Sequence, residues 1–122
     1  MKKILVCEDD EALISMIRFK LSKDNYGEVV KVTDGKSAMH KILHEDFDLI
    51  ITDIHMPYFS GLELVTFVRE KLGNKVPIIV LSLEGIENTV TEAFQLGADD
   101  FISKPFSPNE LSMRVKRLLT AS

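Results

Sequence analysis

Short apolar runs that alternate with segments of helical periodicity are the feature that most constrains the fold of this chain. These runs are rich in β-branched residues, too short for helices, and predict buried strands at residues 4–7, 29–32, 49–52, 77–81 and 101–103. Strands that alternate with helices over short connections form a parallel sheet with helices on both faces. The sequence therefore predicts a doubly wound α/β fold of five βα units. The pattern alone leaves the strand order open.

The segments between these runs carry helix signals. Apolar residues recur at helical spacing over residues 12–22, 37–44, 64–72, 90–94 and 111–119. Asp34-Gly35 is interpreted as a turn before the second helix. Ser107, Pro108 and Glu110 have the pattern of a capping box, which predicts the start of the last helix.

The composition limits the class of protein. A chain of 122 residues has room for one domain, here residues 1–122. No apolar run approaches the roughly 20 residues that cross a membrane, and the first apolar run is too short and too closely followed by acids for a signal peptide. The single cysteine, Cys7, is predicted to be a buried small hydrophobe. These facts favour a cytoplasmic location, and the net charge of −4 argues against broad nucleic-acid binding.

Polar side chains stand where the predicted strands end. They are, in chain order, Glu8, Asp9, Asp53, Ser82 and Lys104. Because the carboxyl ends of parallel strands meet at one edge of the sheet, where ligands of open α/β sheets bind, we expect these side chains to lie together. Three carboxylates would repel one another unless a hard cation lies among them. The pattern predicts a Mg²⁺-dependent phosphoryl-transfer site. No glycine-rich loop follows the first strand, which excludes the usual dinucleotide and P-loop sites.

Asp53 has the chemistry of a phosphoryl acceptor. A carboxylate is ionised at neutral pH and needs no general base, but it must approach an anionic phosphoryl group. Mg²⁺ held by a neighbouring carboxylate can cancel that charge, and Lys104 can add a second positive charge. Ser82 offers a hydroxyl to a remaining phosphoryl oxygen. Each residue alone has an ordinary alternative, such as a helix cap or a solvated side chain. The presence of all these residues at the ends of strands in one sheet indicates a phosphoryl-transfer site.

The chain resembles the receiver domain of bacterial two-component response regulators over essentially its whole length. The motifs that carry the resemblance are residues 4–10 (ILVCEDD), 51–57 (ITDIHMP) with Gly61, 80–82 (VLS), 97–101 (GADDF) and 104–106 (KPF). The resemblance implies a flavodoxin-like (βα)₅ fold with strand order 2-1-3-4-5. It also implies Mg²⁺-dependent phosphorylation of Asp53 by a phosphohistidine of a sensor histidine kinase or a phosphotransfer protein.

The resemblance also implies a set of metal ligands. Glu8 and Asp9 are assigned as the acidic pair of the family because they directly follow the first strand. Asp9 and Asp53 would bind Mg²⁺ directly, and the backbone carbonyl of His55 would be a third ligand. Mn²⁺ can substitute for Mg²⁺. The implied chemistry is self-phosphorylation and autodephosphorylation only, so the chain is not expected to be a metabolic enzyme.

A conformational switch follows from the same resemblance. On phosphorylation Ser82 moves toward the phosphoryl group, and an aromatic ring turns inward; the aromatic residue here is Phe101, where many relatives have tyrosine. Without the hydroxyl, only the packing part of the switch can operate. Leu83 stands where the family usually has a small residue, so we expect it to narrow access to the acceptor. His55 and Glu84 occupy positions linked to the lifetime of the aspartyl phosphate.

Residues near the fourth helix, fifth strand and fifth helix resemble the dimer face of the winged-helix transcription regulators. They are Asp99, Asp100, Glu110 and Arg114, and the predicted face also includes Val90. That subfamily usually has an arginine where Val90 stands and a glutamate where Gln95 stands, so the charge network is partial, and exposed ion pairs are individually weak. The resemblance implies a homodimer through this face, with Val90 as an apolar contact or a core residue.

Three functions fit the sequence. The favoured one is a phosphorylation-activated signalling switch that relays to an output domain or a protein target. A phosphorylation-independent binding receiver is the second, although the intact site argues against it. The third is a Mg²⁺-dependent aspartyl phosphatase, which would need an acid where His55 stands. With no DNA-binding segment after Leu119, direct nucleic-acid binding is not expected. The chain is either a stand-alone receiver or one cut from a longer regulator.

Overall fold

The strands form one parallel sheet. The computed structural model describes residues 2–83 and 87–120 of the chain. Its strands are β1 Lys3–Cys7, β2 Glu28–Val32, β3 Leu49–Asp53, β4 Ile78–Ser82 and β5 Asp100–Ser103, in the order β2-β1-β3-β4-β5. The predicted strands agree with these bounds to within one residue at each end. The strand order implied by the family resemblance is confirmed.

Helices connect successive strands throughout the described part of the chain. They are α1 Glu11–Lys23, α2 Gly35–His44, α3 Gly61–Thr66, α4 Glu87–Leu96 and α5 Pro108–Thr120. The Ser107 hydroxyl accepts a hydrogen bond from the Glu110 N–H at 3.1 Å, as the predicted cap requires. The predicted turn at Asp34-Gly35 is wrong for Gly35, which is the first residue of α2. The reason is that the Asp34 carboxylate accepts from the Ser37 N–H at 2.7 Å and so caps the helix, which begins two residues earlier than predicted.

Both faces of the sheet are buried, which explains why the strands are continuous apolar runs. All residues of β3 are buried, and successive side chains point to opposite faces. Ile50 packs in a cluster with residues of α2, α3 and α4, whereas Ile51 packs in a second cluster with residues of α1 and α5. The polar site residues are therefore confined to the ends of the strands. Among the described helices, none combines the length and the apolar character that a membrane span needs.

The third helix changes its hydrogen-bond pattern part-way. The sequence predicts one helix to residue 72, but after α3 the chain continues as a π-helix over Phe67–Lys71. Arg69 in this segment donates to the carbonyl oxygens of Gly97 at 2.9 Å and Asn74 at 2.8 Å. It also forms an ion pair with Asp99 at 2.8 Å. The π-helical segment thus ties the end of the third helix to the start of β5.

Cys7 is expected to resist alkylation in the folded protein. Its side chain is fully buried at the end of β1, and burial raises the pKa of the thiol to about 12. Because the thiolate is the nucleophile, iodoacetamide at mildly alkaline pH should label the native chain far more slowly than the chain in denaturant. Intact mass spectrometry measures both rates. Equally fast labelling of the native chain would contradict a buried structural role for Cys7.

Candidate functional site

The carboxyl ends of β1, β3 and β5 bring together the charged residues that were predicted to form the site. Glu8 and Asp9 follow β1, Asp53 ends β3, and Lys104 follows β5. One carboxylate oxygen from each of Glu8, Asp9 and Asp53 lies within 4.8 Å of the other two. Glu8 is 1% exposed and Asp53 is 7% exposed, whereas Asp9 is exposed. The three acids form a cluster that solvent reaches on the side of Asp9.

Lys104 neutralises part of this acidic cluster. Its Nζ lies 2.7 Å from Glu8 Oε1 and 3.3 Å from Asp53 Oδ2. Burial alone would lower the pKa of Lys104, but the hydrogen bond to Glu8 and the charge of Asp53 outweigh burial, so the pKa is raised. Burial raises the pKa of the Glu8 carboxyl, and the hydrogen bond from Lys104 opposes that rise. Lys104 is therefore a cation at neutral pH and is shared between two acids.

The charge balance of the cluster fits a divalent cation. Three carboxylates face one ammonium, which leaves a formal excess of two negative charges in a largely buried place. Buried charges are costly unless they are paired or bind a metal. Carboxylate oxygens are the ligands that Mg²⁺ prefers, and the exposed side of the cluster admits the water ligands that Mg²⁺ retains. The acidic triad is thus consistent with the Mg²⁺ site of a receiver domain. The backbone carbonyl of His55 stays a predicted ligand; its side chain is exposed.

Asp10 has a different role from its acidic neighbours. Its Oδ1 accepts from the Ala12 N–H at 3.0 Å and from the Leu13 N–H at 3.2 Å, and so caps α1. Glu8 Oε2 accepts from the backbone N–H groups of Asp9 at 3.0 Å and Asp10 at 3.3 Å. The assignment of the acidic pair to Glu8-Asp9, rather than Asp9-Asp10, agrees with this geometry.

Close backbone contacts hold Asp53, and the sequence analysis did not predict them. A Cβ on Gly61 would clash with the Asp53 carbonyl oxygen, so only glycine lets the start of α3 approach the site. The Gly61 N–H donates to the Ile54 carbonyl oxygen at 2.7 Å. The Thr52 hydroxyl donates to the Asp53 carbonyl oxygen at 2.9 Å. The glycine in the motif was the one signal in the sequence for this approach.

Gly61→Ala is expected to lower the free energy of unfolding by about 2 kcal/mol, because the new methyl group would meet backbone atoms that cannot swing aside. Gly73→Ala is the matched control. Gly73 has a φ of +58°, and nothing lies within 4 Å of the place that a methyl group would occupy, so about 1 kcal/mol of backbone strain is the expected cost. Urea unfolding of both variants measures the difference. Equal losses would mean that the loop accepts the methyl group at Gly61 without strain.

Ser82 and Phe101, the two residues of the predicted switch, are both buried. Ser82 ends β4 and is fully buried, and its carbonyl oxygen accepts from the Lys104 N–H at 2.8 Å. Phe101 is 8% exposed and belongs to the core cluster that includes Ile50. Leu83, directly after β4, is 73% exposed. Glu84 lies outside the described residues.

Two acids predicted for the dimer face, Asp100 and Glu110, are paired within the chain. Asp100 is 5% exposed, and its carboxylate lies 2.6 Å from Arg114 Nη1 and 3.1 Å from Arg117 Nη2. Glu110 lies 3.7 Å from Arg114 on the same helix. The side chain of Arg114 is 37% exposed and that of Arg117 is 60% exposed, so both reach solvent while they bind Asp100. The role of Arg117 was not predicted.

The other two residues of the predicted face also have contacts within the chain. Asp99 binds Arg69 and also accepts from the Ile78 N–H at 2.9 Å, which fixes its carboxylate at the start of β5. Val90 is partly buried and packs against the core. No pattern in the sequence pointed to Arg69, because Gly97 and Asp99, which it contacts, lie 28 and 30 residues further along the chain.

The comparisons with known proteins decide the family. The family model for the response regulator receiver domain matches residues 4–116 of the chain. This chain is a response regulator receiver domain. The receiver is 39% identical over 117 residues to the transcriptional regulatory protein ResD of Bacillus subtilis, and 37% identical over 122 residues to the alkaline phosphatase synthesis transcriptional regulatory protein PhoP of the same organism. The predicted similarity to transcription regulators is confirmed.

These relatives are longer than the receiver. The alignments cover 96% and 99% of the chain but 48% and 50% of ResD and PhoP, so the chain spans about half the length of these curated relatives. Among solved structures, the receiver domain of the Francisella response regulator 1452 has a TM-score of 0.90 and 34% identity, covering 98% of this chain and 97% of that one. DrrB, a Thermotoga maritima OmpR/PhoB homologue, has a TM-score of 0.87 and 32% identity, covering 98% of this chain and 52% of that one.

Proposed function

We propose that this receiver is a phosphorylation-activated switch in which Asp53 accepts a phosphoryl group from a phosphohistidine of a sensor histidine kinase. The observation that carries the proposal is the position of Asp53, a nearly buried carboxylate next to the Lys104 ammonium and within one cluster with Glu8 and Asp9. Membership of the receiver family supports the proposal, since a receiver is conventionally a phosphoacceptor rather than an enzyme.

The transfer is a substitution at phosphorus. One carboxylate oxygen of Asp53 attacks the phosphorus, a P–O bond forms as the P–N bond of the phosphohistidine breaks, and the electron pair of the P–N bond leaves with the imidazole nitrogen. Glu8, Asp9 and Asp53 would hold a Mg²⁺ ion, which would supply positive charge near the phosphoryl group. Lys104 adds its ammonium next to Asp53 Oδ2, and the Ser82 hydroxyl binds a further phosphoryl oxygen. Later attack by water on the aspartyl phosphate releases phosphate and restores Asp53.

Lys104 couples this chemistry to the conformation of the sheet edge. In the described structure its ammonium is shared between Glu8 and Asp53. A phosphoryl group brings a charge of about −1.5 to −2, so it draws the ammonium away from Glu8. The Lys104 N–H is bonded to the Ser82 carbonyl oxygen, so a movement of Lys104 acts on the ends of β4 and β5. Since Phe101 is already buried, we expect Ser82 and the chain after it to carry more of the response than the ring.

The switch passes its signal to an output domain or to a protein target. We also propose that two receivers pair through α4, β5 and α5. ResD and PhoP are transcriptional regulatory proteins about twice as long as this chain, which supports a transcriptional output. Arg114 and Arg117 support the pairing, because both bind Asp100 while part of each side chain stays exposed to a second copy.

Intact mass spectrometry after incubation with acetyl phosphate tests the proposed chemistry. The expected result is a single phosphoryl adduct when Mg²⁺ is present and no adduct when a chelator removes the metal. An adduct that forms equally well in chelator would refute the Mg²⁺ dependence. A folded chain that binds Mg²⁺ and forms no adduct would instead favour the phosphorylation-independent binding receiver.

Leu83→Ala is expected to speed this labelling, because alanine removes bulk directly after Ser82 at the rim of the site. The side chain is 73% exposed, so its loss should cost little stability. Leu43→Ala, at an exposed leucine on α2, is the matched control. Time courses of adduct formation give the rates. If Leu83→Ala is labelled at the same rate as the control, the proposal that Leu83 restricts access to Asp53 is wrong.

A further inference from the structure

Two histidines on α2 form a pair that the phosphoryl-acceptor site does not use. His40 and His44 are four residues apart, which places them one above the other on one face of a helix. Their ring centroids are 4.4 Å apart, and the ring planes are inclined by 37°. Both residues are exposed. Two imidazoles at this helical spacing are the arrangement by which a helix chelates one Zn²⁺ ion.

The hydrogen bond of His44 fixes which of its nitrogens can bind a metal. Nδ1 of His44 lies 2.8 Å from the backbone carbonyl oxygen of His40. A carbonyl oxygen can only accept, so Nδ1 carries the hydrogen, and the neutral ring keeps its lone pair on Nε2. A ring nitrogen that donates to a backbone carbonyl while the other nitrogen faces the ion is the usual arrangement of a metal-binding histidine.

Nearby charges leave the pair accessible to a cation. Lys41, between the two histidines in sequence, binds Glu45 at 2.9 Å. Glu45 also binds Lys3 at 2.6 Å, so this carboxylate is held by two ammonium groups and is not available as a further ligand. Lys36, one turn before His40, lies with its ammonium 5.9 Å from the centre of the Tyr58 ring. The lysines around the pair are therefore directed toward partners of their own.

We propose that His40 and His44 chelate a divalent cation that prefers nitrogen ligands, such as Zn²⁺, at a site separate from the acidic cluster. The two sites differ in the chemistry of their donors, since carboxylate oxygens suit Mg²⁺ and imidazole nitrogens suit Zn²⁺. Two protein nitrogens occupy half of a tetrahedral coordination shell. Water or a donor from another molecule supplies the other two ligands.

Calorimetric titration of the chain with zinc chloride tests this site, with saturating Mg²⁺ present to occupy the acidic cluster. His40→Gln and His44→Gln are each expected to weaken Zn²⁺ binding at least about tenfold. A spacing control combines His44→Gln with Lys41→His. This variant keeps the number of histidines but places two of them at adjacent positions that do not face each other, so it should bind as weakly as His44→Gln.

Nuclear magnetic resonance separates this site from the acidic cluster. Zn²⁺ should shift the imidazole signals of His40 and His44 and leave those of His55, next to the acidic cluster, in place. Equal affinity in the parent chain and in both single variants would overturn the proposal, as would Zn²⁺ shifts confined to His55. Circular dichroism establishes that the variants are folded. Zn²⁺ binding in this experiment does not depend on phosphorylation, so the result is independent of the role of Asp53.

Discussion

Replacement of Asp53 by asparagine is expected to abolish the phosphoryl adduct formed from acetyl phosphate and Mg²⁺. The amide oxygen is a poor nucleophile, and the amide carries no charge for the metal or for Lys104. The variant should remain folded, because Lys104 keeps its 2.7 Å contact with Glu8 and one of three mutually repelling carboxylates becomes neutral. Loss of labelling without loss of stability, measured by intact mass and by urea unfolding, is the predicted signature of the acceptor.

Asp46→Asn provides the control for this experiment. Asp46 is an exposed aspartate away from the acidic cluster, so its replacement removes one carboxylate and leaves the site intact. We expect this variant to be labelled like the parent chain. Stoichiometric labelling that persists in Asp53→Asn would transfer the acceptor role to another residue and refute the proposed mechanism.

Replacement of Lys104 by methionine is expected to lower the free energy of unfolding by about 3 kcal/mol in the presence of chelator. Methionine preserves much of the side-chain volume but leaves Glu8, which is 1% exposed, without its ammonium partner. It also leaves three carboxylates within 4.8 Å of one another with no cation between them. Mg²⁺ should restore part of the loss, because it binds the folded cluster and replaces the missing charge.

Two further variants identify the cause of this loss. Glu8→Gln in the Lys104→Met background removes the unpaired buried charge and should recover a substantial part of the stability. Lys116→Met changes an exposed lysine on α5 and should cost no more than about 0.5 kcal/mol. If Lys104→Met loses no more stability than Lys116→Met, the ion pair with Glu8 does not stabilise the fold.

The strands and the residues at their ends could be predicted because both depend only on short stretches of the sequence. A sheet buried on both faces needs apolar side chains at consecutive positions, and Ile50 and Ile51 meet that need on opposite faces of β3. The first charged residue after each of these runs marks the point where the apolar run ends. Glu8, Asp53 and Lys104 could therefore be assigned to one edge of the sheet from the residue order alone.

The pairing of charges could not be predicted in the same way. Asp99 and Asp100 were interpreted as parts of one dimer face, yet Asp99 binds Arg69, 30 residues earlier in the chain, and Asp100 binds Arg114. Arg69 lies in the π-helical segment Phe67–Lys71, and hydrophobic periodicity does not separate a π turn from an α turn. Sequence spacing identifies which face of an element a residue occupies, but not the partner that packing brings to it.

By itself the sequence determined the class of fold, the five βα units and the set of polar residues at the sheet edge, because apolar periodicity and side-chain chemistry are local properties of a chain. Only the tertiary structure decided that Lys104 lies closer to Glu8 than to Asp53, that Gly61 approaches the backbone of Asp53, and that Phe101 is buried. Those facts depend on how segments far apart in sequence pack against one another, at distances where a few tenths of an ångström decide which atoms meet.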